Sequence, residues 1–185
     1  MNLLTDSSPD FIEVRGEKIK LNPSFKKWVK YIIATESGNI QLIEQSLFDI
    51  FGDVQIKKDL FYEFLQKTFE WAFPDSGKNY KRSSKKAYDF EEDGNTIYAE
   101  LWQYFPELMK KDLSWHEGIE LIRLLIGNKD TELHHRAFAR IGDFTKLSKE
   151  EKKYWNEERQ RLILKDKRTE QQKDEDFTFA MSAFF

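Results

Sequence analysis

Large apolar side chains recur three and four residues apart in this chain, in runs cut short by glycine, proline and asparagine. One apolar stripe per run dictates amphipathic helices that must bury those stripes against one another. Phe25, Trp28, Val29, Ile32 and Ile33 form the first run, opened by Asn22-Pro23-Ser24 and closed by Ser37-Gly38-Asn39. A second helix is expected over 40–51, with Leu42, Ile43, Leu47, Ile50 and Phe51 inward and Gly52-Asp53 breaking it. A third, over 56–73, carries Leu60, Phe61, Phe64, Leu65, Phe69 and Phe73 and stops at Pro74. In a fourth, from Gly94 to Phe105, Ile97, Leu101, Trp102 and Phe105 share a face ahead of Pro106. The fifth opens at Ser114-Trp115-His116-Glu117, whose serine and glutamate have the spacing of a capping box. Its Ile119, Leu121, Ile122, Leu124, Leu125 and Ile126 make it the most apolar helix and so the central one. A sixth covers 131–141, and Leu147-Ser148-Lys149-Glu150-Glu151 opens a seventh.

One stretch breaks the helical period. FIEVRGEKIKL (11–21) alternates apolar and polar residues on either side of Arg15-Gly16-Glu17, and Gly16 can supply a positive φ. This predicts a β-hairpin, which must pack on something else to be stable. The fold class expected is therefore mainly α: a compact bundle of about six to seven helices with a small N-terminal β-hairpin.

Composition narrows the remaining choices. The chain has 185 residues, long enough for one domain with a core, and 16 Phe and 5 Trp mark that core as ring-rich rather than disordered. Cysteine is absent, which removes disulfides, thiol catalysis and cysteine-held metals. The start, MNLLTDSSPDFIEV, lacks a basic region followed by a long apolar run, so no signal peptide is expected. No apolar window approaches a membrane span of roughly 20 residues, so no membrane partner is expected. A net charge of −3 gives no global attraction to nucleic acid.

Two segments differ in character from the bundle. Residues 75–87, DSGKNYKRSSKKA, read as an exposed, mobile basic loop. From Ser148 to Asp176 the chain is dominated by Lys, Glu, Arg, Gln and Asp, with sparse Tyr154, Trp155, Leu162, Ile163 and Leu164. That composition predicts a solvated helix projecting from the body, followed by the apolar FTFAMSAFF at 177–185. The organisation expected is a helical domain at 1–147 and a charged helical extension with an apolar tail at 148–185.

Three polar constellations invite chemistry. In DFEEDGNTIYAE (89–100), Asp89, Glu91, Asp93, Gly94 and Glu100 fall at calcium-loop positions. Yet Thr96 stands where that loop wants an apolar residue, and KNYKRSSKKAY is a poor entering helix. The simpler expectation is a helix start: Asp93 or Asn95 caps it, Glu91 and Glu92 sit by its positive end, and Tyr88 and Phe90 pin it. His116 and Glu120, one turn apart, could share a zinc, whereas adjacent His134 and His135 point about 100° apart. Lys78, Lys81, Arg82, Lys85 and Lys86 with Tyr80 are the materials of a nucleic-acid contact, offset by the neighbouring acids. No nucleophile elbow, HExxH or glycine-rich phosphate loop occurs. The metal reading of Asp89, Glu91, Asp93 and Glu100 stays as the alternative, with no cofactor, no catalytic residue and no nucleic-acid partner expected.

Several stretches in matching order resemble a bacteriophage family, the gene-product-fifteen tail proteins. They are MNLLTDSSPDFIEVRGEKIKLNPSFKKWVKY at the start, YDFEEDGNTIYAELWQYF (88–105), LSWHEGIELIRLLIGN (113–128) and FARIGDFTKLSKEEKKYW (138–155). The resemblance implies a phage or prophage protein acting in tail assembly in the host cytoplasm, as a chaperone of the tape-measure or another tail protein. It brings no catalytic residues. It departs at His116-Glu117-Gly118, where the family carries aromatics. A long helical partner would be met on apolar faces. The candidate partner surface is Trp102, Phe105 and Trp115, with a second contact from Trp155 and from Phe177, Phe179, Met181, Phe184 and Phe185. Self-association through the extension is a further expectation.

Overall fold

The computed structural model describes residues 9–74 and 86–165. It is mainly helical, with a two-stranded antiparallel hairpin ahead of the helices. Strands β1 (Phe11–Val14) and β2 (Glu17–Lys20) pair in the register Ile12↔Ile19 and Val14↔Glu17. Both loop residues take positive φ, 47° at Arg15 and 83° at Gly16. A two-residue hairpin of natural twist requires this, and glycine meets it without strain. Ile12 and Val14 are buried in the same core as Phe64 and Trp71. Arg15 Nε donates to Glu63 at 3.2 Å and so fixes the tip of the hairpin.

Helices α1 (Phe25–Ser37) and α2 (Ile40–Phe51) follow, separated by Gly38 in the left-handed conformation. Asn39 caps α2 by accepting from Leu42 N. A turn of 3₁₀ helix at Lys58–Leu60 leads into α3 (Phe61–Ala72). The third helix thus begins later than its apolar run, because residues 53–57 stay extended or bent. Beyond the segment outside the described residues come α4 (Gly94–Tyr104) and α5 (Pro106–Met109). Pro106 was expected only to end a helix. It also starts one, since a proline lacks an N–H that the first helical position has no use for. Then come α6 (Trp115–Gly127), α7 (Glu132–Ile141) and α8 (Lys149–Arg161). The capping box at Ser114 and Glu117 forms with both of its bonds, and Ser148 with Glu151 makes a second at α8.

The starts of α1 and α6 are bound together. Phe25 N donates to Leu113 O at 2.7 Å and Trp115 N to Pro23 O at 2.6 Å. This single antiparallel bridge places Trp28 beside Trp115. Trp28 also stacks on Trp71, centroids 4.5 Å apart. Each of the three indoles donates to a backbone carbonyl: Trp28 to Asn22, Trp71 to Pro9, and Trp115 to Ala72. Buried tryptophans need such partners for their N–H groups. A second cluster gathers Ile97, Leu101, Leu113, Leu121, Ile122, Leu125 and Leu133 from α4, α6, α7 and the turn before α6. Phe25 and Phe90 pack against both clusters. Helix α6 touches α1, α4 and α7, the central position its apolar composition predicts.

Two expectations fail in instructive ways. Leu42 is expected inward, while Phe61, Phe69 and Leu124 belong to the apolar runs of their helices; all four are exposed. Their helices carry apolar arcs wider than the one face each can bury. The charged helix does not project up to residue 165. Trp155 on α8 packs edge-on against Phe138 of α7 at 4.7 Å and stacks on Phe144 at 6.1 Å. Arg159 donates to the carbonyls of Ala139 and Gly142, satisfying the open end of α7, and lies over the Phe144 ring.

Candidate functional site

The acidic segment 89–100 is built into the fold by bonds to protein. Asp93 stands at the N-cap of α4, and its backbone carbonyl accepts from Ile97 N. Its side chain makes no cap bond. It is fully buried and receives Arg140 Nη1 at 2.5 Å, Arg140 Nη2 at 3.0 Å, Arg136 Nη1 at 2.9 Å and Asp89 N at 2.9 Å. Burial alone would raise the Asp93 pKa. The Arg140 bonds, with those from Asp89 N and Arg136, outweigh it and hold the carboxyl below the ordinary aspartate value. Asp89 Oδ1 accepts from Glu91 N and Glu92 N, and Lys86 approaches Asp89 at 3.9 Å. Glu100 reaches across to α7, accepting from Glu132 N at 2.5 Å and Leu133 N at 3.2 Å. So Asp89, Asp93 and Glu100 are occupied by N–H groups and guanidinium, and Asp93 caps through its backbone only. Among the described residues no three His, Asp or Glu side chains are grouped so as to hold a metal ion.

The histidines are similarly committed. His116 is buried edge-on against Trp71, and its Nε2 donates to the Trp71 carbonyl at 2.8 Å. Burial pushes its pKa below the ordinary histidine value, and the bond to Trp71 opposes this only in part. Glu120 pairs with Arg123 instead of sharing a site with His116. His134 Nδ1 donates to Ile126 O at 2.6 Å, while His135 Nε2 meets Glu158 at 2.7 Å. The Glu158 carboxyl is held down to about 2, first by Arg161 and then by His135. Gly118, after His116 and Glu117, also has a packing role. A Cβ at position 118 would overlap the Phe25 ring, so only glycine lets that ring lie on α6.

The expected partner surface divides. Trp115 is 0% exposed, ringed by Phe25, Trp28, Phe73 and Phe90. It is withdrawn as a contact residue, because the bridge that starts α6 turns it into the core. Phe105 is half-buried against the second cluster. Trp155 is half-buried in the α7–α8 contact. Trp102 is 39% exposed and meets Tyr98, itself 58% exposed, with centroids 6.4 Å apart. Tyr98 escaped the sequence reading although its four-residue spacing from Trp102 was visible. Phe177, Phe179, Met181, Phe184 and Phe185 lie outside the described residues, as do Lys78, Tyr80, Lys81, Arg82 and Lys85. Lys86 is described and pairs with Glu36 at 2.6 Å.

A second uncovered apolar face lies on α3. At about 100° per residue, Phe61, Leu65, Phe69 and Tyr62 fall in one sector beside the buried stripe of Phe64, Thr68, Trp71 and Ala72. Glu63 and Lys67 occupy the opposite flank, where Glu63 meets the hairpin. Tyr62 is 81% exposed and Phe69 56%. No helix among the described residues is long and apolar enough to cross a membrane. No family model, curated protein or solved structure matches the chain.

Proposed function

We propose that the chain is a non-enzymatic assembly protein that shelters amphipathic helices of a long partner through its own apolar helix faces. The partner proposed is the tape-measure or another tail protein of a long-tailed phage or prophage, met in the host cytoplasm before the tail polymerises. The phage setting comes from the resemblance at 1–31, 88–105, 113–128 and 138–155. The observation that carries the binding role is the sector of Tyr98, Trp102 and Phe105 at the end of α4. Two aromatic rings there reach solvent, Tyr98 more than Trp102, and half-buried Phe105 flanks them. Rigid aromatic anchors of this kind give the largest gain per side chain when a helix is laid across them. Polar chemistry has far less to recommend it, because Asp89, Asp93, Glu100 and the three histidines all serve internal bonds.

Co-expression with the adjacent tape-measure product tests the reading. The soluble fraction of that partner should rise several-fold with this chain. The rise should be lost when Tyr98→Ala and Trp102→Ala are combined. An unchanged partner solubility in the presence of the intact chain overturns the proposal.

A further inference from the structure

The α3 face has a candidate occupant within the same chain. Its exposed Phe61, Tyr62 and Phe69, with half-buried Leu65 between them, are preceded by Lys57 and Lys58, both exposed and without an ion pair among the described residues. An apolar strip with two cations at one end calls for an apolar segment preceded by acids. Residues 174–185, DEDFTFAMSAFF, have that order: Asp174, Glu175 and Asp176, then nine mostly apolar residues.

The end of the described chain lies in the right place. Lys165 N donates to Glu92 Oε1 at 3.1 Å, which ties residue 165 to the turn before α4. Phe90 in that turn and Phe73 after α3 both pack on the Trp115 ring, at 6.0 and 5.8 Å. The turn that holds the anchor and the residue that ends α3 therefore meet at one ring, and α3 itself is only about 18 Å long at 1.5 Å per residue. Asp174 is 9 residues beyond Lys165 and Phe177 is 12. An extended chain of that length spans about 30 and 40 Å respectively, longer than α3 itself.

We propose that residues 174–185 dock on the α3 face of their own chain, the acids at Lys57 and Lys58 and the rings along Phe61, Leu65 and Phe69. Phe177, Met181 and Phe184 are spaced four and three apart, the interval that lets three side chains of a docked helix enter one groove. A tether this short gives an effective concentration in the millimolar range, far above that of a second copy at micromolar protein, so the contact is made within one chain. Docking covers the largest uncovered aromatic strip of α3 and leaves the α4 sector free for a partner. The inference goes beyond the assembly role and needs no partner.

The absence of cysteine makes the test unambiguous. In the full chain, Tyr62→Cys combined with Ser182→Cys should oxidise to a monomeric, internally linked species. The rate should exceed that of a Gln103→Cys, Ser182→Cys control by about tenfold, the advantage expected of a held over a merely tethered pair. Lys57→Glu with Lys58→Glu should slow the linkage, and so should Phe61→Asp with Phe69→Asp, both pairs being exposed and tolerant of change. Linkage at the control rate overturns the proposal. So does linkage indifferent to both sets of substitutions, or a covalent dimer in place of the linked monomer. Because no partner is present, failure here is separate from failure of the co-expression test.

Discussion

The two ends of helix α6 are joined to the rest of the molecule by opposite chemistry. At its start, Trp28, Trp71 and Trp115 stack with Phe25, Phe73 and Phe90, and the polar groups involved are indole N–H bonds to carbonyls. Past its other end, α7 is fixed to the turn before α4 by a buried aspartate and two arginines. Arg140 extends that junction further, donating to Leu162 O after α8 and to Ala87 O. The ring core gains stability from area removed from water, which tolerates modest shifts of geometry. The ionic junction depends on complete pairing. Each charge is costly to bury, and removing one partner leaves the other stranded.

The difference can be probed from its strongest element down. Trp115→Ala should cost toward 5 kcal/mol in urea-unfolding free energy, since it deletes the most enclosed ring and the bond to Ala72. A loss below about 2 kcal/mol would mean that the tryptophan stack is not the main support of this half. Arg140→Met should cost about 3 kcal/mol by leaving buried Asp93 with only Arg136 and Asp89 N as partners, and adding Asp93→Leu should restore part of it. If the double variant is no better than the single, the junction depends on the carbonyl bonds of Arg140 rather than on its charge.

The same junction should weaken in acid. Asp93 has a folded pKa below its unfolded value, so its contribution is full above about pH 4, the ordinary aspartate range. It is lost as pH falls through the depressed folded value. Arg140→Met combined with Asp93→Leu should flatten the acid limb of a stability–pH curve relative to the parent, and an unchanged limb would assign acid sensitivity elsewhere. A smaller effect is expected of Gly118→Ala, about 1–3 kcal/mol, because Phe25 must move off α6. Smallest of all should be Trp102→Ala, within about 1 kcal/mol of the parent in unfolding. A large loss there would make Trp102 part of the fold rather than of a contact surface.

These two regions also differ in how far the sequence revealed them. Helical spacing placed α1, α2, α4 and α6, and Ser114 with Glu117 marked a start to the residue. The spacing of Ile12, Val14 and Ile19 around Gly16 located the hairpin. Periodicity reports which side chains share a face, but not how wide a face the neighbours will cover. That is why Leu42, expected inward, is exposed, and why the apolar run of α3 does not reveal that Phe61 and Phe69 stay uncovered. Nor does it pair residues distant in the chain. Asp93 looked like a calcium ligand or a cap because its local context is an acidic turn, whereas its partner Arg140 lies 47 positions on. Trp115 was read as a surface residue because nothing local announces the bridge between Ser24 and Ser114. The docking of α8 was hidden for the same reason: its charged helix reads as solvated and Trp155 as a partner contact until α7 stands beside them.

Glu100 carries a consequence for what holds α7 together. The first turn of α7 has one stabiliser from its own sequence, Thr131, and a second from a carboxylate 32 residues earlier on α4. With only the local stabiliser, a helix of 10 residues is too short to persist in water. Helix α7 is therefore durable only in contact with its neighbours, among which α4 supplies an acceptor to its first turn. Its first turn is thus completed by a carboxylate from another helix as well as by Thr131.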